Sequence, residues 1–346
     1  MANLLSIMRK NILGVAVLFS MVAASFWGCG NRNTGGSDLT GSIKIDGSST
    51  VYPITEATAE EFRLENPKVK VTIGVSGTGG GIKKFIRSEI DIAETSRPIK
   101  KSEDSASHVA NIEYVELPIA YDGLAVVVNP ENTWVDYLTV DELKKIWEPQ
   151  AQGKIVKWNQ IRPEWPNAEI HLFGAGHESG TFDYFTEAVV GETKASRGDY
   201  TASEDDNVLV QGISTDKYSL GYFGLAYYTE NMDKLKLVPI DDNNDENGKG
   251  PIFATEETVK DGTYQPLSRP LFIYINKKSI DTNPSLDSLV RFYINNAEEL
   301  VPEAKFIPLS QSTYDLVMKR FKEKKTGSVF LGKESTVGVK LEEVLK

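Results

Sequence analysis

Hydroxyl-bearing residues and glycines recur at three places where a strand pattern gives way to a helix pattern. They are Asp46-Gly47-Ser48-Ser49-Thr50-Val51-Tyr52-Pro53, Ser76-Gly77-Thr78-Gly79-Gly80-Gly81 and Ser179-Gly180-Thr181. At such a junction the first helical amides lack intrahelical acceptors and stand at the positive end of the helix dipole. That is the chemistry of an anion seat. None of the three ends in the Gly-Lys-Ser/Thr of a phosphate loop, so a small oxyanion held by hydrogen bonds fits better than a nucleotide. The competing reading is three ordinary helix N-caps.

The elements that must position these residues are legible around them. A β-branched strand ends near Val75, and Ile82-Lys83-Lys84-Phe85-Ile86-Arg87 carries apolar residues at helical spacing. Ile43 to Ile45 forms a short strand before Ser48, and Pro53 suits the first turn of a helix through Phe62 to Leu64. Ile170 to Phe173 precedes the third junction, and Phe182 to Val189 follows it as a helix. From Ile43 to Ile119 strand and helix patterns alternate, which predicts βαβ units and a largely parallel sheet. Two further apolar runs, Leu124 to Val128 and Leu271 to Ile275, read as buried strands. Thr139-Val140-Asp141-Glu142 has capping-box spacing, and Pro284 to Leu300 and Gln311 to Phe321 read as amphipathic helices.

Ahead of these elements, Arg9 and Lys10 precede an apolar run from Asn11 to Trp27, with Cys29 directly after it. This is the pattern of a secretory signal over residues 1–28. Cys29 is the only cysteine, so no internal disulfide can form, and its place resembles a bacterial lipobox, which makes it the candidate lipidation site. Phe26 and Trp27 are bulkier than the usual residues before such a cysteine. Residues 29–41 then form a polar Gly/Asn/Ser/Thr-rich flexible linker. Removing 1–28 removes two cations and no acids, so the formal charge of −11 becomes −11 − 2 = −13. An acidic protein has no general footprint for nucleic acid. It can still take an anion, because exposed charges beyond about 8 Å are screened whereas donors in a closed site act at about 3 Å. The 346 − 28 = 318 residues that remain exceed one ordinary core, so two lobes are expected.

Catalysis finds little support in the residue pattern. Gly176-His177-Glu178-Ser179-Gly180 fails the nucleophile elbow, because Gly176 lies three residues before the serine. His108, His171 and His177 are scattered, and no HExxH or CxxC occurs, so neither a metal nor a cofactor is expected. Asp241 to Gly248 resembles a calcium loop in composition only, and Trp147, Trp158 and Trp165 read as scaffold rather than a sugar-stacking surface.

The runs IDGSSTVYPITEA, GVSGTGGGIKKF, DIAETSRPI, LPIAYDGLAVVVNP, SGTFDYFTEAVVGE, GYFGLAYY and PLSRPLFIYIN, in that order, resemble the phosphate-binding proteins of phosphate-specific ABC transporters. The resemblance covers essentially the whole mature chain. It implies a two-lobed α/β periplasmic-binding-protein fold of type II, with two hinge-crossing strands, lobe one over 42–125 and 269–346, and lobe two over 126–268. The implied function is capture of inorganic phosphate and its delivery to the membrane permease of an ABC importer by an exported, lipid-anchored monomer, in the periplasm or on the outer face of the cytoplasmic membrane. The alternatives are a binding protein for another tetrahedral oxyanion, sulfate or molybdate, or a secreted phosphatase. The resemblance assigns Ser49, Thr50, Ser76, Thr78 and Gly79 as donors from lobe one, and Ser179, Gly180 and Thr181 from lobe two. Val51 contributes only its amide.

Two positions depart from the better-known family pattern. An arginine four residues before Ser-Gly-Thr is replaced by Ala175, and the aspartate of DIAETSRPI is Ser96. Ser96 stays in the expected site, since its hydroxyl can accept a hydrogen bond as well as donate one; the expected replacement for the charge is Arg97, and the expected acceptor for a protonated oxygen is Asp122, ahead of Asp46, Asp91 and Glu94.

Overall fold

The computed structural model describes residues 38–177, 179–203, 205–331 and 340–346. The expected signal segment, Cys29 and the linker up to residue 37 lie outside the described residues. The described chain opens with β1 (Gly41–Gly47), α1 (Tyr52–Glu65), β2 (Val69–Val75), α2 (Gly77–Ile86), β3 (Ile92–Thr95) and α3 (Lys101–Val109). Pro53 sits in the first turn of α1, which buries Ile54, Thr58 and Phe62 along one stripe. α2 starts inside the glycine run rather than after it and buries Gly81, Ile82 and Phe85. The strands β2, β1 and β3 are parallel neighbours, so all three C-terminal ends, and the loops that follow them, fall on one edge of the sheet.

β4 (Tyr114–Val128) is buried along its whole length. A strand covered on both faces reads as an unbroken apolar run, as Leu124 to Val128 does. Its first part pairs antiparallel with β8 (Ser268–Asn276), and its last part, from Leu124, pairs antiparallel with β7 (Ser219–Gly224). One strand therefore belongs to both halves of the fold. Between them lie α4 (Val140–Trp147), β5 (His171–Ala175), α5 (Gly180–Phe185), β6 (Thr201–Ser203) and α6 (Asp206–Thr215). The chain crosses back just before β8, where Leu124 donates its amide to the Leu267 carbonyl and Tyr264 Oη donates to the Leu124 carbonyl, at 2.9 and 2.8 Å. The main sheet runs β2-β1-β3-β8-β4-β7-β5-β6.

The sheet is mixed, which corrects the largely parallel one expected. The returning β8 inserts between β3 and β4 and runs antiparallel to both. α4 starts on the expected capping box, Thr139 Oγ1 accepting from the Glu142 amide at 3.1 Å and Glu142 Oε2 from the Thr139 amide at 2.9 Å. The helix expected over 284–300 is two, α7 (Pro284–Asn295) and a short one over Ala297–Glu303, parted at Asn296. α7 returns against α1 through Phe292, edge-on to Phe62 at 5.5 Å, and Tyr293, whose hydroxyl bonds Thr55 at 3.1 Å. The tryptophans are core: Trp147 and Trp158 are fully buried, and Trp158 packs edge-on to Trp165. No helix among the described residues is long and apolar enough to cross a membrane.

Candidate functional site

At the end of β1 the chain turns tightly on Ser48. Its hydroxyl accepts from the Thr50 amide at 3.2 Å, and its carbonyl accepts from the amides of Val51 and Tyr52 at 3.2 and 3.1 Å. The Val51 amide is therefore engaged within the turn, and Val51 itself is fully buried. Ser49 and Thr50 face a polar cleft of about 320 Å³, joined there by Gly77, Thr78 and Gly79 from the start of α2. Thr78 Oγ1 accepts from the Ser96 amide and bonds the Ser96 hydroxyl, both at 3.2 Å, which draws the end of β3 to the same spot. Ser76 turns the other way, donating its hydroxyl to Asp46 Oδ1 at 2.5 Å and its amide to the same oxygen at 3.1 Å.

From the other half, Ser179 caps α5 by accepting from the Thr181 amide at 3.1 Å. Gly180 lies directly against Thr50: a Cβ here would fall 2.4 Å from Thr50 Oγ1 and 3.0 Å from its amide nitrogen. Glycine is required, and the starts of α1 and α5 meet at this contact. The open part of the cleft is walled on that side by Asp183, Glu187 and Thr193.

The cation most intimately built into the cleft is Arg269, near the start of β8. Sequence reasoning passed over it. Its Nη2 donates to Thr50 Oγ1 at 3.3 Å, Nε and Nη2 lie 3.4 Å from Asp122 Oδ2, and the guanidinium stacks 3.6 Å from the Tyr184 ring centre. Its side chain is only 13% exposed, so the charge acts in a poorly hydrated setting. Asp122 stands directly opposite it in the β4–β8 register. Burial pushes the Asp122 carboxyl up from its usual range, and the Arg269 charge opposes that shift. Arg97 and Lys100 also line the cleft, but both terminal nitrogens of Arg97 donate to Glu103, at 2.9 and 2.8 Å. Glu103 is in turn fixed at the start of α3 by accepting from the Lys100 amide.

Three of the twelve anion-site expectations are thus placed differently in detail. Ser76 bonds Asp46, the Val51 amide serves the Ser48 turn, and Asp122 faces Arg269. Ser49, Thr50, Thr78, Gly79, Ser96 and Arg97 line the cleft, and Ser179, Gly180 and Thr181 abut it where Gly180 meets Thr50. Ala175, at the position of the missing arginine, is buried. The signal for Arg269 was present in Ser268-Arg269-Pro270, but it becomes a site residue only through pairing with a strand 147 positions away.

A larger opening, about 630 Å³, lies elsewhere, by Tyr121, Lys260 and the start of α8 (Gln311–Lys322). The hydroxyls there, Ser310 and Thr313, already donate to Glu342. Among the described residues no group of three or more His, Cys, Asp or Glu is arranged to hold a metal ion.

Residues 33–297 match the PBP superfamily domain. The chain belongs to this superfamily of two-lobed binding proteins and, within it, to the family of phosphate-binding proteins that serve phosphate ABC transporters. It is 48% identical over 310 residues to protein SphX of Synechocystis, covering 90% of each chain. It is 37% identical to the phosphate-binding protein PstS of Staphylococcus aureus, covering 89% of this chain and 90% of that one. The crystal structure of a possible phosphate binding protein from Planctomyces limnophilus superposes with a TM-score of 0.78 at 45% identity, covering 83% of this chain and 99% of that one.

Proposed function

We propose that the protein captures inorganic phosphate between its two lobes and hands it to the permease of an ABC importer, without transforming it. The observation that carries this reading is the convergence of one desolvated guanidinium, Arg269, with hydroxyls and helix-start amides from both halves on a single polar cleft. Ser49, Thr50, Thr78, Gly79 and Ser96 donate from lobe one and Ser179, Gly180 and Thr181 from lobe two. Arg269 supplies the charge that Ala175 cannot, and Asp122 orients it. Binding energy drawn from both lobes favours the closed state. The hinge then divides the chain near 125 and 268, within β4 and at the start of β8.

The acceptor for a protonated phosphate oxygen is Asp183, which lines the cleft from lobe two. The resemblance of Cys29 to a lipobox supports a lipid-anchored monomer outside the cytoplasmic membrane, tethered through residues 29–41. Calorimetric titration of ligand-stripped protein with phosphate, sulfate and molybdate tests the reading. Submicromolar binding of phosphate over the other two supports it. A preference for sulfate or molybdate moves the protein to another oxyanion, and turnover of a phosphomonoester by pure protein makes it a phosphatase.

A further inference from the structure

Behind the Gly77–Gly79 seat lies a carboxylate, and its position poses an electrostatic problem. Asp46, in the last turn-ward part of β1, is nearly buried and accepts from the amide and hydroxyl of Ser76, the residue that opens α2. The backbone closes round it: a Cβ at Gly74, its neighbour in β2, would fall 2.3 Å from Asp46 Oδ2. A negative charge fixed at the start of α2 competes with any anion for the same positive helix end. The compensation comes from the same helix, where Lys84 donates to Asp46 Oδ2 at 2.5 Å. Burial alone would raise the Asp46 carboxyl, but Lys84 and Ser76 outweigh it and hold it below the usual range, so Asp46 carries its charge at neutral pH.

We propose that Asp46 is a positioning residue that locks Ser76 and so shapes the Gly77–Gly79 seat, and that Lys84 is the counter-charge that stops Asp46 from repelling the bound anion. The inference rests on the phosphate-capture reading for its ligand but not for its physics, since the repulsion acts on any oxyanion. Lys84→Gln is the discriminating change, because glutamine still donates a hydrogen bond to Asp46 while removing the charge.

Four proteins are titrated with inorganic phosphate by calorimetry: the parent, Lys84→Gln, Asp46→Asn and the double variant, each with its thermal midpoint recorded. Lys84→Gln weakens binding roughly five-fold. Asp46→Asn, which keeps an acceptor for Ser76 but removes the repelling charge, binds more tightly than the parent, and the double variant returns to within about two-fold of the parent. If the double variant is as weak as Lys84→Gln, or if Lys84→Gln is unchanged, the charge role is overturned. If Asp46→Asn is the weakest of the four at an unchanged thermal midpoint, compensation by Lys84 is likewise overturned. The same titrations with sulfate carry the comparison when phosphate does not bind, so failure of the phosphate reading is a separate result. A parent that binds neither anion overturns both.

Discussion

Arg269 and Asp122 stand directly opposite each other on the two strands that join the halves of the protein, their charged ends 3.4 Å apart. A salt bridge at such a place ties a guanidinium that lines the polar cleft to both of those strands. Arg269 is also tied to Thr50 and stacked on Tyr184, so three elements converge on one guanidinium. Preorganisation of this kind reduces the side-chain entropy lost on binding.

Arg269→Ala is therefore expected to weaken phosphate binding by on the order of 2–3 kcal/mol, roughly thirty- to hundred-fold, as removal of a charge-assisted partner from a desolvated anion. Arg269→Lys restores part, lacking the planar fork and the stacking on Tyr184. Arg97→Ala costs less than about five-fold, because Glu103 already engages its guanidinium. Calorimetry on the two alanine variants decides; the reverse order of losses would return the anion's charge to Arg97.

Asp122→Asn removes the charge that orients Arg269 and leaves a buried cation partly uncompensated. Phosphate and sulfate affinities should fall together, with their ratio unchanged. Asp183→Asn should act on the ratio instead, weakening phosphate and tolerating sulfate, since a cleft carboxylate accepts from a protonated oxygen and repels a fully deprotonated one. Should Asp122→Asn alone narrow the ratio, Asp122 itself would be the discriminating acceptor.

The three junctions, the strands before them and the capped helix at Thr139 were legible because each rests on neighbours in sequence. The resemblance added the fold class. What escaped were relations set by strand pairing. The insertion of β8 between β3 and β4 made the sheet mixed and brought Arg269 to Asp122, and no local pattern encodes it. Arg97 looked like the free charge because its partner Glu103 sits on the following helix in a geometry that spacing alone leaves open. Ser76 and Ser49 look alike in sequence; only the carboxylate of Asp46 beneath the former separates them.

Gly180→Ala should act on closure. The added methyl would meet Thr50 Oγ1 at 2.4 Å, so the two halves cannot approach as closely. A loss of at least about ten-fold in phosphate affinity is expected, with the ligand-free thermal midpoint nearly unchanged, because the strain arises only in the closed form. Small-angle scattering would show a smaller phosphate-induced compaction than in the parent; compaction and affinity equal to the parent's would mean that the Thr50–Gly180 contact is not made in the bound state.

The last prediction concerns Glu94, at the core of lobe one. It is fully buried in β3, neither carboxyl oxygen has a hydrogen-bond partner among the described residues, and the nearby Asp46 carboxylate disfavours a second negative charge. Burial is the main cause of a carboxyl pushed up to about 8. Because the folded protein then binds this proton more tightly than the unfolded chain does, the unfolded state holds fewer protons between the ordinary carboxyl range and about pH 8. Stability from this group is thus fully present below pH 4 to 5 and lost as pH rises through about 8, with a total on the order of 5 kcal/mol. Other buried carboxyls with raised values, Glu116 and Asp122, tilt the parent's profile in the same direction, so the difference between two proteins is the informative quantity. Glu94→Gln keeps the shape of the side chain and removes its titration. Chemical denaturation of parent and Glu94→Gln from pH 5 to 9 should show the variant gaining on the parent as pH rises, the gap levelling off above pH 8 to 9. Parallel profiles across that range would mean that Glu94 finds a partner for its charge in solution.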